Sequence, residues 1–367
     1  MSELTRRTGE VNGIRMHWVE QGTGPLVLLC HGFPESWYSW RNQLDALSRA
    51  GFRVVAPDMR GYGETEGPAD IDKYTLLHLV GDMVGLVGAL GESSAVIAGH
   101  DWGAPVAWYA ALMRPDRFRA VIGLSVPFRP RAPAPPTRLM PAREVFYQLY
   151  SQAPGVAEVE LERDVRASLE RLYHAASGDA PPHQAGISLA IVPRQGGFLT
   201  NMAAPASRPP WQSEQDLAFF VEAFRASGFR RPLNWYGNID RNWELLAPFA
   251  GARVSVPGAL HGRHARHGGV VSRYGAVDRE SGELRSKSAR HDDVARLRAL
   301  DAAGARRGSE CGHDRISAGP VRWRPSAHCR TIAGGKSGLI AAGNPRHCTV
   351  TLSRDRLGVW VPDTRRW

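Results

Sequence analysis

The sequence predicts an α/β fold: a mostly parallel sheet with a helical lid inserted into it. Three observations point there. Short apolar runs alternate with helical stretches through residues 1–128. A Pro-rich stretch at 129–136 then opens a long, mainly helical segment. One apolar run, Ala95-Val96-Ile97-Ala98, passes through a glycine-bounded turn straight into a helix opened by Ala104-Pro105-Val106-Ala107-Trp108.

Taken in order, buried strands are expected at 26–30, 53–56, 95–98 and 120–125, with helices between them. The lid is expected over 129–243, with helical patterns at 142–152, 156–175 and 213–227. The last begins at Ser213 with Asp216 three residues on, the spacing of a capping box with Asp in place of Glu, and Gly228 closes it. The chain returns to the core over 244–257, where Ala252-Arg253-Val254-Ser255-Val256-Pro257 reads as the start of the next sheet strand.

A chain of 367 residues with 43% hydrophobic content is ample for one such domain and its lid. The charge is unevenly spread. Residues 258–367 carry 21 Lys and Arg against 10 Asp and Glu, a net of +11, which leaves 25 against 26, a net of −1, for residues 1–257. The overall +10 therefore belongs to the tail and does not imply a nucleic-acid or membrane partner for the folded part. No apolar segment follows Met1-Ser2-Glu3 and no run reaches membrane-spanning length, so the expected location is the cytoplasm. Four cysteines without paired spacing argue against a disulfide framework. His264 and His267, at i and i+3, have no carboxylate or thiol neighbours, so neither a metal nor another cofactor is expected.

Gly99-His100-Asp101-Trp102-Gly103 occupies the strand-to-helix turn. Such an elbow often presents a serine; here it presents a carboxylate. A carboxylate is already ionised at neutral pH and displaces a leaving group from saturated carbon, leaving an enzyme-bound ester. The implied substrates are small epoxides or alkyl halides. Upstream, Leu26-Val27-Leu28-Leu29-Cys30 runs into His31-Gly32-Phe33-Pro34-Glu35-Ser36-Trp37. In this arrangement the loop after that strand supplies one backbone N–H of an oxyanion hole and the residue after the nucleophile supplies the other, which makes Phe33 and Trp102 the donors. His31 reads as a structural loop histidine.

Together the strings His31 to Trp40, Asp58-Met59-Arg60-Gly61-Tyr62-Gly63, Gly99 to Gly103, Pro154-Gly155-Val156-Ala157-Glu158 and Asn234-Trp235-Tyr236 resemble the soluble epoxide hydrolases of the α/β-hydrolase fold, over about residues 11–257. The resemblance implies Asp101 as nucleophile, Phe33 and Trp102 as oxyanion donors, Tyr147 and Tyr236 as paired phenols on the epoxide oxygen, and water as co-substrate. Opening an epoxide releases an alkoxide, and a neutral phenol with a pKa near ~10 suits its protonation. A haloalkane or haloacetate dehalogenase shares the aspartate but needs halide-binding side chains. A non-catalytic α/β-hydrolase-fold protein is the third reading.

The family pattern implies an acid and then a histidine after the strand near 257, and neither stands in a recognisable setting. Cys311-Gly312-His313 is followed by Asp314 where the family has tryptophan, and Ser125-Val126-Pro127-Phe128 offers no acid. All eleven phenylalanines precede residue 250, whereas seven of thirteen histidines follow residue 257. One extra base near the Pro257 and Gly258 codons would account for this. Codons for 258–271 permit Ala-Leu-Phe-Met-Ala-Gly-Thr-Arg-Asp in the neighbouring frame, and those for 297–308 permit Cys-Gly-His-Trp. The expected acid then lies across Arg266 and His267, the histidine across Ala299 and Leu300. Residues 258–367 are thus expected to be a basic, low-order, out-of-frame tail.

Overall fold

In a computed structural model of the chain, the structure describes residues 3–139, 145–177, 191–193, 196–262, 270–273, 352–354 and 360–362. The first strands, β1 (Thr5–Val11) and β2 (Ile14–Gln21), form an antiparallel hairpin. Its two turn residues, Asn12 and Gly13, both have positive φ (51° and 74°), as a two-residue hairpin turn requires. The Asn-Gly pair is the legible signal for this hairpin, which lay outside the expected strands.

Four strands of the sheet then alternate with three α-helices. β3 (Leu26–Cys30) leads to α1 (Arg41–Arg49), β4 (Arg53–Pro57) to α2 (Leu76–Ala89), and β5 (Ala95–His100) to α3 (Gly103–Met113) and β6 (Phe118–Leu124). The expected strands at 26–30, 53–56, 95–98 and 120–125 are all present within two residues. β3 is buried at every position, the mark of a strand covered by helices on both faces.

The helical insertion follows. β7 (Val145–Phe146) runs into α4 (Tyr147–Tyr150), then come α5 (Ala157–Arg163), α6 (Val165–Ala176), β8 (Ile191–Val192), α7 (Glu214–Ser227), α8 (Arg230–Gly237) and α9 (Ile239–Leu245). Two expectations change here. Of the helical pattern expected at 142–152, the described residues are helix at α4 alone, because Val145 and Phe146 pair with Val192 and Ile191 as strand. The pattern at 156–175 is two helices, because Asp164 adopts an extended backbone and caps α6 by accepting the Ala167 N–H at 3.0 Å. The capping box at Ser213 and Asp216 is present, and Gly228, at φ 70°, ends α7.

The sheet closes with β9 (Gly258–Gly262) and β10 (Val270–Arg273). Among the described residues its eight strands lie in the order β1-β2-β4-β3-β5-β6-β9-β10, parallel from β4 through β9 and antiparallel at both edges. The strand expected to start over Ala252–Pro257 begins instead at Gly258. Pro257 has no N–H to give the ladder, so it enters only through its carbonyl, which accepts the Val121 N–H at 3.0 Å. Beyond it Gly258–Gly262 pairs in parallel with β6; a Cβ on Gly258 would already press on Trp108 and Val121 at 3.2 and 3.3 Å. The positions at Arg266 and His267, Ala299 and Leu300, His264 and Cys311-Gly312-His313 lie outside the described residues. No helix among the described residues is long and apolar enough to cross a membrane.

The insertion is tied to the core at named points. Arg131 Nε donates to the Trp243 carbonyl at 2.8 Å, its guanidinium lies 3.7 Å from the Trp243 ring, and the Trp243 indole donates to Ala132 at 2.7 Å. The outgoing and returning chains are thus joined at the neck. Above it, the Trp235 indole donates to the Arg60 carbonyl at 3.1 Å and Tyr173 Oη to the Pro34 carbonyl at 2.6 Å. These bonds seat α6 and α8 over the ends of the central strands.

Replacing Ser213 by alanine removes one half of the α7 capping box and leaves the Asp216 N–H without its acceptor. Urea unfolding should show a loss of about 1 kcal/mol. An unchanged midpoint would show that the cap contributes nothing.

Candidate active site

β3 and β5 are neighbours in the centre of the sheet, paired in parallel with Cys30 opposite Gly99. Their C-terminal ends therefore bring the loop at 31–36 beside the elbow at 99–103, where open α/β sheets place their ligands. Asp101 has φ 50°, a left-handed backbone that is uncommon outside glycine. The elbow is crowded enough to dictate its glycines. A Cβ on Gly103 would lie 2.1 Å from the Cys30 carbonyl oxygen, and one on Gly32 would lie 2.4 Å from Asp101 Cβ.

This crowding brings Phe33 and Asp101 together. The Phe33 N–H donates to Asp101 Oδ1 at 2.8 Å, and the Trp102 N–H donates to the same carboxylate. Both N–H groups expected for an oxyanion hole thus hold the side chain of Asp101 itself. Tyr236, on α8, packs edge-on against Phe33 (ring centroids 5.7 Å apart) and Trp102 (5.2 Å). Tyr147, the first residue of α4, meets Tyr236 at 5.9 Å. All five sequence-expected site residues therefore converge on one spot. His31 is structural: its Nε2 accepts the Met59 N–H at 2.9 Å and its Nδ1–H donates to the Gly32 carbonyl at 2.9 Å, which fixes a neutral ring.

Residues 25–236 match the family described as alpha/beta hydrolase fold. The chain is 43% identical over 263 residues to Epoxide hydrolase A of Mycobacterium tuberculosis (strain ATCC 25618 / H37Rv), covering 70% of this chain and 81% of that protein. It belongs to the epoxide hydrolase family. A solved epoxide hydrolase from an endophytic Streptomyces superposes with a TM-score of 0.68 at 46% identity, covering 71% of this chain and 79% of that one. Against Bifunctional epoxide hydrolase 2 of Sus scrofa the identity is 44%, and the chain spans 44% of that protein's length.

The electrostatics of this member of the epoxide hydrolase family follow from burial. Burial pushes the Asp101 carboxyl up, with a smaller push from Glu35, and this outweighs the opposing pull of His100 and the two backbone N–H groups. Burial alone would lower the His100 imidazole, but the charge and hydrogen bond of Glu35 raise it; the pair lies 3.2 Å apart. Glu35 is held below its usual range because His100 and the Gly32 N–H, at 3.0 Å, outweigh its own burial. Burial, then the charge of Asp101, push Tyr147 up to about 12. Burial, then Tyr147 and Asp101, push Tyr236 well above the ordinary phenol range.

Both phenols are therefore neutral and protonated at physiological pH. Tyr147 also has a donor on its oxygen, Gln148 Nε2 at 3.2 Å. With that donor in place, the Tyr147 hydroxyl proton is left to be donated elsewhere. Sequence reasoning assigned no role to Glu35, His100, Gln148 or Phe198. Glu35 and His100 lie inside the quoted motifs, so adjacency to Gly32 and Asp101 was the available signal; nothing local marked Phe198.

The sign of the Asp101 shift yields a pH-dependent test. A carboxyl whose folded pKa is raised contributes its stability below the unfolded pKa and loses it as pH rises through the folded pKa. Asp101→Asn should therefore raise the thermal midpoint at neutral pH, and the gain should shrink as pH falls through the range above 3.8. A gain that is independent of pH would overturn the assignment of a buried, charge-penalised Asp101.

Proposed function

We propose that Asp101 attacks a carbon of a small-molecule epoxide while Tyr147 and Tyr236 hold and protonate the oxygen. The carboxylate oxygen forms the new C–O bond, the ring C–O bond breaks, and its electron pair takes a phenol proton. The product is a hydroxyalkyl ester of Asp101, with the new hydroxyl on the carbon next to the ester oxygen's carbon, and the donating phenol is left as a phenolate. The observation that carries this reading is the Asp101 carboxylate held by the Phe33 N–H at 2.8 Å beneath two phenols that are kept neutral. Phe33 and Trp102 stabilise the same oxygen again when it becomes an oxyanion under attack by water.

A dehalogenase would need side-chain donors free for halide. Two neutral phenols instead meet beside Trp102, an arrangement suited to an epoxide oxygen, which favours the epoxide reading.

The second half-reaction needs a base to activate water, and in the family order an acid–histidine pair follows the nucleophile. The chain carries Gly258-Ala259-Leu260-His261-Gly262 after Pro257, without an acid there, and no Gly-His-Trp string follows. The similarity to known relatives covers about 70% of the chain. Ester hydrolysis is therefore impaired in this chain, and one extra base near codon 258 is the economical cause.

Mixing the protein with styrene oxide should give an adduct on the peptide containing Asp101 by mass spectrometry, and the adduct should persist. Removing one base near codon 258 should restore turnover to diol. No adduct in folded protein sinks the nucleophile assignment, and steady turnover by the unaltered chain sinks the impairment. In the same assay, Tyr147→Phe or Tyr236→Phe should each slow ester formation by about 10²-fold, and the double change by more. Ester formation that ignores the double change would return the dehalogenase reading.

A further inference from the structure

Tyr147 begins a helix of only four residues, α4, preceded by a two-residue strand pairing. So short a helix has little of its own to fix a side chain in place. Its support comes from Glu160 on α5. One carboxylate oxygen accepts Tyr150 Oη and the Phe198 N–H, both at 2.7 Å, and the other accepts the Leu199 N–H at 2.9 Å. The approach is too close for any side chain at 197: a Cβ on Gly197 would lie 2.3 Å from the Glu160 carboxylate. The loop so held carries Phe198, whose ring lies nearly parallel to that of Tyr147 (11°) with centroids 6.0 Å apart.

Glu160 thus grips Tyr147 from two directions, through Tyr150 on its own helix and through the ring stacked on it. Tyr236 depends on other supports: it sits on the eight-residue α8, anchored by Trp235 on the Arg60 carbonyl. We propose that Glu160 is a positioning residue that sets the Tyr147 phenol, and not the Tyr236 phenol, over Asp101. This rests on the reading of Tyr147 as a proton donor. A displacement of about an ångström at a reacting group costs up to about 10²-fold in rate, so the effect is measurable without disturbing the nucleophile.

The test is a double-mutant cycle read by the rate of ester formation with styrene oxide in the full chain. Glu160→Gln keeps the shape but replaces one acceptor oxygen by an amide that cannot accept. It should slow ester formation by about 10-fold alone, and as much again in a Tyr236→Phe background. In a Tyr147→Phe background it should add little. Phe198→Leu, which leaves the carboxylate in place, should give the same asymmetry and serves if the Gln variant does not fold. Equal losses in both backgrounds, or no loss from either variant, overturn the inference while leaving Tyr147 as donor. If Tyr147→Phe itself has no effect, the reading beneath the inference fails and takes it down.

Discussion

A carboxylate taken into a largely apolar site is costly unless donors meet it, and Asp101 is met by backbone N–H groups from two different segments. Every other part of the site exists to make that meeting possible. β3 and β5 must be parallel neighbours so that Phe33 and Trp102 arrive together, and the turn at Asp101 must adopt a left-handed backbone. On the proposed mechanism, the same donors that lower the cost of the buried charge would stay in place when the charge moves onto an ester oxyanion. Stability is given up at Asp101, which leaves a charged, poorly solvated oxygen in the site.

The phenols complement this charge. Burial and the negative field of Asp101 both disfavour a phenolate, so Tyr147 and Tyr236 stay protonated beside an ionised carboxylate. One environment thus holds an ionised carboxylate beside neutral phenols, separated by their ordinary pKa values and pushed in the same direction. The Glu35–His100 pair behind the elbow adds a compensated charge that steadies the loop, through the Gly32 N–H, without cancelling that field.

The architecture of the insertion explains why the two phenols differ in support. Tyr236 belongs to a helix bonded directly to the core by Trp235, and Asn238 Nδ2 adds a bond to the Ile71 carbonyl at 2.7 Å. Tyr147 belongs to a single helical turn whose neighbours are held by one carboxylate. A shift in the insertion would therefore be felt at Tyr147 before Tyr236.

The sequence by itself determined the central strands and the elbow, and pointed to the five residues that the structure brings together there, because these are local signals: apolar runs bounded by glycine, and motifs with fixed spacing. It also determined the capping box at Ser213 and Asp216, which needs only four residues. It misread residues 145–146, where a strand pairing with 191–192 overrides helical spacing, and 252–257, where proline delays the ladder until its carbonyl finds Val121. Tertiary structure alone decided that the Phe33 and Trp102 N–H groups converge on one carboxylate, that the rings of Tyr147, Tyr236 and Trp102 meet above it, and that Glu160 reaches across to Tyr150 and Phe198. Those facts depend on contacts between residues far apart in the chain, whose distances no local periodicity encodes.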